Sequence, residues 1–190
     1  MTSALGHGYP WSMARLCVFC GSSFGNHAVY RDAARRLARA LHARGAGLVF
    51  GGSHLGLMGV VADSLLELGG EVIGVIPGHM VEREIAHTGL TQLIVVQSMH
   101  ERKAAMAAHA DAFMALPGGF GTLDELMEIL TWSQLQLHAK PIGLLDVDGY
   151  WKGLLDFVEH MTRSGFVRAT DAQRLLVGAE PRSLLDRLLL

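Results

Sequence analysis

The chain has 190 residues, half of them hydrophobic, with 16 lysines and arginines against 18 aspartates and glutamates. That is enough chain to bury one sizeable core, and a net charge of −2 with arginines dispersed among acids excludes the basic patches of nucleic-acid or membrane binding. No apolar run reaches membrane-spanning length and the opening MTSALGHGYPWSMAR lacks a signal peptide's apolar stretch, so a cytoplasmic protein is expected, with residues 1–12 disordered and 13–190 forming one domain.

The first apolar run, LCVFC at 16–20, reads as a strand and carries a CxxC. Residues three apart on a strand point to opposite faces, so Cys17 and Cys20 read as two buried structural thiols and not as a redox pair. Further strands are expected at 47–50 (GLVF), 71–76 (EVIGVI), 93–97 (LIVVQ), 112–116 (AFMAL) and 142–146 (IGLLD). Helical periodicity fills the intervals at 28–45, 57–70, 99–110, 123–138 and 150–161. Strands without polar alternation that take turns with helices predict an α/β, Rossmann-like, doubly wound parallel sheet with helices on both faces. The polar segment 77–92 reads as a flap or an ordinary connecting loop.

In such a sheet, ligands bind where the strand-to-helix turns gather at the carboxyl edge. Four turns stand out: CGSSFG after the first strand, GGSHLGLMG after the second, SMHERK after the fourth and PGGFGTLDE after the fifth. Glycine allows close backbone approach, and a helix start presents free amides with partial positive charge, which together suit a phosphate. The second turn lacks the lysine of a P-loop and the first lacks GxGxxG, so ATP hydrolysis and dinucleotide binding are disfavoured. A smaller ligand such as a nucleoside monophosphate remains.

Two acids carry a plain structural reading as well. Thr122 to Glu125 and Ser98 to Glu101 both spell capping boxes. Arg102 shares a helix face with Met99 and Met106, where its stem either covers the core or its guanidinium grips a phosphate. Parallel strands start their following helices at one sheet edge, which places Arg102, Lys103 and Glu125 around a shared cleft.

The stretch SMHERKAAMAAHADAFMALPGGFGTLDEL resembles the Lonely Guy family of cytokinin-activating enzymes, often labelled lysine decarboxylase-like, with its arginine-lysine step and PGGxGTxxE signature. The resemblance runs from VFCGSS through LVFGGSHLGLMG, EREIAH and TWSQLQLHAKPIGLLDVDGYW, most of the chain. It implies hydrolysis of the N-glycosidic bond of N6-modified adenosine 5′-monophosphates to free base and ribose 5-phosphate, with no cofactor. It also implies Arg102 and Glu125 as the catalytic pair, with Glu84, Lys103, Gly119, Phe120, Gly121, Thr122 and Thr131 contacting substrate. Ser22, Gly52, Met99, Gly118, Leu123 and Asp124 complete the expected binding set. One departure is Ser53, where many members carry a third glycine.

Competing readings are a nucleotide-binding module without catalysis and a pyridoxal-dependent decarboxylase, the latter needing a Schiff-base lysine from only Lys103, Lys140 and Lys152. The ten histidines form no HxxxH or HExxH spacing, so no metal is expected. The helix at 123–138 is apolar nearly all round, which calls for a second covering surface: a homodimer interface is the natural candidate, with the chain's own C-terminal segment as the alternative.

Overall fold

The computed structural model describes residues 13–81 and 85–190; the expected disordered segment 1–12 and the candidate contact Glu84 lie outside them. Seven strands form one parallel sheet: β1 Arg15–Phe19, β2 Gly47–Phe50, β3 Val72–Pro77, β4 Gln92–Val96, β5 Ala112–Ala115, β6 Ile142–Leu145 and β7 Leu175–Gly178. Their spatial order is β4-β3-β2-β1-β5-β6-β7, so β1 has β2 on one side and β5 on the other. Cys17, for instance, pairs with Val49 across one edge and Phe113 across the other.

Among the described residues, eight helices accompany them: α1 Ala28–Arg44, α2 Gly56–Leu66, α3 Gly78–Val81, α4 Met99–Ala108, α5 Phe120–Gln134, α6 Lys152–Arg163, α7 Ala169–Ala172 and, after the last strand, α8 Pro181–Leu188. One sheet face packs Leu16, Val18, Leu48 and Phe50 against α1, α2 and α8 through Leu37, Leu41, Val61, Leu65, Leu184 and Leu188. The other face packs Cys17, Phe19, Val49 and Phe113 against Met106 of α4 and Leu126 and Ile129 of α5. Burying each of Phe50 and Phe113 stabilises the fold by about 1.5–3 kcal/mol relative to exposure. The continuous apolar runs are thus explained by burial on both faces, and only the edge strand β4 shows exposed positions along its length.

The two cysteines sit on opposite faces, both free and fully enclosed, and burial pushes both thiols far above their ordinary pKa. They pack as small apolar groups. Four elements were not expected from the sequence: the short helices α3 and α7, strand β7 and helix α8. β7 is only four residues long and follows a polar turn, and α8 relies on Pro181 near its first position as its start signal.

Helix α5 also begins earlier and ends earlier than its apolar spacing predicts. Gly119 caps its start, and its end is a Schellman turn in which Leu137 N donates to Trp132 O at 2.9 Å and Gln136 N to Ser133 O at 3.1 Å. Gln136 there takes a left-handed φ of 60°, a conformation that usually falls to glycine.

The chain reverses its direction of sheet growth between β1 and β5, which places the topological switch point between the first and fifth turns. Reaching β5 from the edge strand β4 obliges α4 to cross back over the sheet, and that crossover sets the position of Arg102.

Candidate active site

At the switch point the turns after β1 and β5 are tied together, with Gly21 N donating to Pro117 O at 3.1 Å and Leu57 N donating to Gly21 O at 3.0 Å. The cleft between them is lined by Ser22, Tyr30, Gly118, Gly119 and Tyr150. Tyr150 reaches in from the loop before α6, and its hydroxyl donates to the Gly118 carbonyl. The glycines here divide by cause. A Cβ on Gly118 would collide with the Thr122 hydroxyl and come within 2.9 Å of Gly21 N, so packing demands that glycine. Gly119 and Gly121 have nothing within 4 Å of where a Cβ would stand. Their bareness is explained by nothing in the fold; it leaves space over the start of α5.

No side chain caps that start. The first helical bond runs from Leu123 N to Gly119 O at 3.1 Å, so the amides of Phe120, Gly121 and Thr122 have no partner within the helix. The expected capping box at Thr122 to Glu125 therefore does not form. With glycines at 119 and 121 the helix starts a turn earlier, which puts Thr122 inside it and leaves Glu125 free of capping. The second capping box does form: Glu101 N donates to Ser98 Oγ at 3.1 Å, and the Glu101 carboxylate accepts from Gln97 N at 2.8 Å.

Glu125 is 8% exposed and faces Arg102, which is 6% exposed, with Nη1 to Oε1 at 3.4 Å. Arg102 is itself fixed by two backbone carbonyls, Nε donating to Val75 O at 3.1 Å and Nη2 to Gly51 O at 3.1 Å. Those carbonyls stand within β3 and just past the carboxyl end of β2, where the crossing α4 delivers the side chain. Gly51 makes the seat possible, because a Cβ there would occupy the guanidinium's place. Arg102 is thus spent on two carbonyls and a carboxylate, with neither a core-covering stem alone nor a free fork describing it. Burial raises the Glu125 carboxyl to about 7, against the opposing pull of Arg102, and the neighbouring Asp124 adds to the rise. An acid with that affinity can give or take a proton near neutral pH.

The other expected contacts fall in different places. Lys103 is buried, with Nζ 3.0 Å from Asp124 Oδ2 and 3.1 Å from Glu128 Oε2, so its ammonium is engaged by α5 and not by the glycine turn. Leu123 packs against the core and Met99 and Phe120 are exposed, Phe120 at 92%. Gly52 has a φ of 72° and packs against Ile76 and Val75, which accounts for it without a ligand. Ser53 is buried and its hydroxyl accepts from Leu55 N at 3.1 Å, closing its own turn. The following segment is tied down here too, by His54 N to Ile85 O at 3.1 Å, His87 N to Gly52 O at 2.8 Å and a His87–Asp63 contact at 2.8 Å. Its described residues are therefore anchored to the second turn. Thr131 lies away from the glycine turns, its hydroxyl donating to Met127 O at 2.7 Å, beside an apolar groove lined by Met127, Leu130, Val158, Met161, Val167 and Leu175. The C-terminal helix α8 packs on the opposite face of the sheet and does not cover that groove. Tyr30 and Tyr150 line the cleft but carried no sequence signal, because each arrives from a different connection.

A family model described as "Possible lysine decarboxylase" matches residues 58–188. Among curated proteins, a probable cytokinin riboside 5′-monophosphate phosphoribohydrolase (LOGL3) of Oryza sativa subsp. japonica is 50% identical over 92% of this chain and 82% of its own length. The cytokinin riboside 5′-monophosphate phosphoribohydrolase LOG2 of Arabidopsis thaliana is 48% identical over the same shares. The chain belongs to the Lonely Guy family. Solved structures share the fold at lower identity: the molybdenum cofactor carrier protein of Chlamydomonas reinhardtii superposes with a TM-score of 0.71 at 23% identity, covering 93% of this chain and 98% of that one.

The family model's decarboxylase label meets an obstacle in this Lonely Guy member. Lys103 is held by two carboxylates, Lys140 donates to Ala107 O at 2.7 Å at the far end of α4, and Lys152 is exposed and pairs with Asp156 at 2.6 Å. None of the chain's three lysines stands open in the cleft. Among the described residues, no cluster of histidine, cysteine or carboxylate side chains has the arrangement of a metal site, and no helix is long and apolar enough to cross a membrane.

Proposed function

We propose that the protein hydrolyses the N-glycosidic bond of adenosine-type 5′-monophosphates, N6-modified ones included, releasing the free base and ribose 5-phosphate. The observation that carries this reading is a buried carboxylate, Glu125, one helical turn into an α5 whose start is uncapped and bare. Phe120 to Glu125 spans about 7.5 Å of helix rise, comparable to the reach from a 5′-phosphate to the anomeric carbon. The two plant relatives are phosphoribohydrolases of a riboside 5′-monophosphate, which supports this reading.

In the mechanism, the amides of Phe120, Gly121 and Thr122 grip the 5′-phosphate, with Ser22 across the cleft. The phosphate orients the ribose so that C1′ faces Glu125. As the bond from C1′ to the base nitrogen breaks, positive charge builds on the ring and the Glu125 carboxylate stabilises it. Water's oxygen bonds to C1′, Glu125 takes one of its protons, and that proton passes to the departing base nitrogen, which restores the carboxylate. Arg102, locked on Gly51 and Val75, holds Glu125 in place and offsets its charge. Gly118 and Gly52 shape the turns, while Met99, Phe120, Leu123 and Asp124 border the route taken by the base.

The reading extends to assembly and place. A second copy of the chain covers the groove beside Thr131, supported by its apolar lining of Met127, Leu130, Val158, Met161, Val167 and Leu175. This homodimer works in the cytoplasm, in keeping with two unpaired thiols. Residues 13–190 act as one domain, supported by the single sheet.

The test is chromatographic. The protein is incubated with AMP, N6-isopentenyl AMP and the matching nucleosides, and free base is measured. Base release from the monophosphates but not the nucleosides is expected; binding with every nucleotide intact would leave a module without catalysis. Light scattering on the wild type and on Met161→Glu reads the dimer, which the substitution is expected to split.

A further inference from the structure

Consecutive residues of α4 grip adjacent faces of α5. Arg102 meets Glu125, and the next residue, Lys103, meets Asp124 and Glu128 on either side of it in sequence. The ammonium is buried, while Asp124 and Glu128 keep their carboxylates on it at 3.0 and 3.1 Å. The obvious role for a lysine beside a phosphate cleft is to hold the phosphate, but this one is turned into the contact between two helices.

We propose that Lys103 is a positioning residue for the hydrolysis: it fixes α5 against α4 and offsets part of the charge of Asp124 and Glu128, so that Glu125 stays facing Arg102. The inference rests on the hydrolase reading above for its kinetic consequences. Its physical basis is charge balance around the buried Arg102, Lys103 and Glu125, with Glu128 partly exposed and Asp124 largely so. With Glu125 ionised the group holds two cations and three anions; without Lys103 it would hold one cation and three anions. Asp124 and Glu128 both oppose ionisation of Glu125, and Arg102 and Lys103 both favour it. Cys17 of β1 and Cys20 just beyond it are also within electrostatic reach of Glu125, but burial keeps both thiols neutral, so they add no charge. Both acids act on Glu125 with Lys103 in place, and without Lys103 their action meets only Arg102 in opposition.

The proposal separates cleanly from a phosphate-binding role. Base release from AMP is followed from pH 5 to 9 for the wild type, Lys103→Met, Lys103→Arg and Glu128→Gln, with inorganic phosphate as competing inhibitor. For Lys103→Met, kcat falls roughly tenfold and the acidic limb of the pH profile moves up by about one unit. KM and the phosphate inhibition constant stay within about twofold, since no ligand contact is lost. Lys103→Arg retains most activity, and Glu128→Gln moves the limb the opposite way, downward. A tenfold rise in KM and in the phosphate inhibition constant, with the limb unmoved, overturns the proposal and makes Lys103 a ligand. The same variants are titrated by carbon-13 NMR of labelled glutamate carboxyls, with Glu125→Gln to assign the signal. Opposite shifts of the Glu125 midpoint in Lys103→Met and Glu128→Gln are expected, and equal midpoints overturn the proposal. This readout stands even where no nucleotide is cleaved, so failure of the hydrolase reading and failure of the positioning role remain distinct. Should Lys103→Met not fold, the arginine and Glu128→Gln variants carry the same decision.

Discussion

The starts of α4 and α5 follow parallel strands at one sheet edge, and the sequence writes a capping box at each. Only one is built. At α4, Ser98 and Glu101 close the helix start with their own side chains. At α5, glycine stands at the cap, no side chain returns, and the carboxylate that could have done so faces a buried arginine. A capped start has spent its amides on the protein; an uncapped one keeps them for a ligand. Helices α1, α2, α6, α7 and α8 also start without a side-chain cap, so what sets α5 apart is its bare glycines at 119 and 121 and the buried acid Glu125 beside them.

The largest expected effect comes from removing that acid. Glu125→Gln lowers kcat for base release by roughly a hundredfold or more, as loss of other transition-state stabilisers does; full activity in a folded variant would send Glu125 back to a structural role. The same carboxyl sets the pH dependence. Because Glu125 holds its proton to about pH 7, kcat/KM for the wild type falls roughly tenfold per unit below that pH if the ionised form works. Stability moves the other way. The folded carboxyl is raised from 4.5 to about 7, so the native state binds the proton more tightly than the unfolded chain. Wild-type stability measured against Glu125→Gln is therefore greatest at low pH and declines as pH rises from 4.5 to 7, by on the order of 3 kcal/mol in all. Paired thermal melts across that window check the sign, and a rising difference would refute it.

The bare cap offers a smaller and sharper test. Gly119→Ser supplies the missing capping oxygen with no clash from its Cβ, so it should stabilise the fold by a few tenths of a kcal/mol. It should also raise KM for nucleoside monophosphates by roughly tenfold, because the new hydroxyl competes with phosphate for the same amides. Stability up and affinity down in one variant is the signature of a site kept open for function. An unchanged KM would mean that the phosphate sits elsewhere. The control is Ser98→Ala at α4. It removes a cap already in use and costs about 1 kcal/mol of stability, with KM left where it was. The smallest effect belongs to the far end of α5, where Gln136→Gly relieves a left-handed glutamine and should add about 0.5–1 kcal/mol, read as a modest rise in Tm.

Most of the fold was legible in the sequence, because a strand buried on both faces needs an unbroken apolar run and a helix between strands needs its own period. Six strands and five helices followed from those two rules, and β7 escaped because a four-residue strand behind a polar turn carries little periodic signal. The site was legible in part. Glycine turns at strand ends located the cleft, and the arginine-lysine step and PGGxGTxxE marked the family. Capping grammar misled at Glu125, since the rule counts residues from Thr122 while the helix counts from Gly119.

What the sequence determined alone is therefore the parallel sheet, the carboxyl-edge turns and the neutral, buried character of Cys17 and Cys20. All three depend on local pattern and on burial, which composition and spacing report directly. What only the tertiary structure decided is who meets whom: Arg102 on the carbonyls of Gly51 and Val75, Lys103 between Asp124 and Glu128, and Tyr150 on Gly118. Those meetings exist because α4 must cross the sheet from its edge to reach β5, and no periodicity along a chain records where a crossover lays a side chain down.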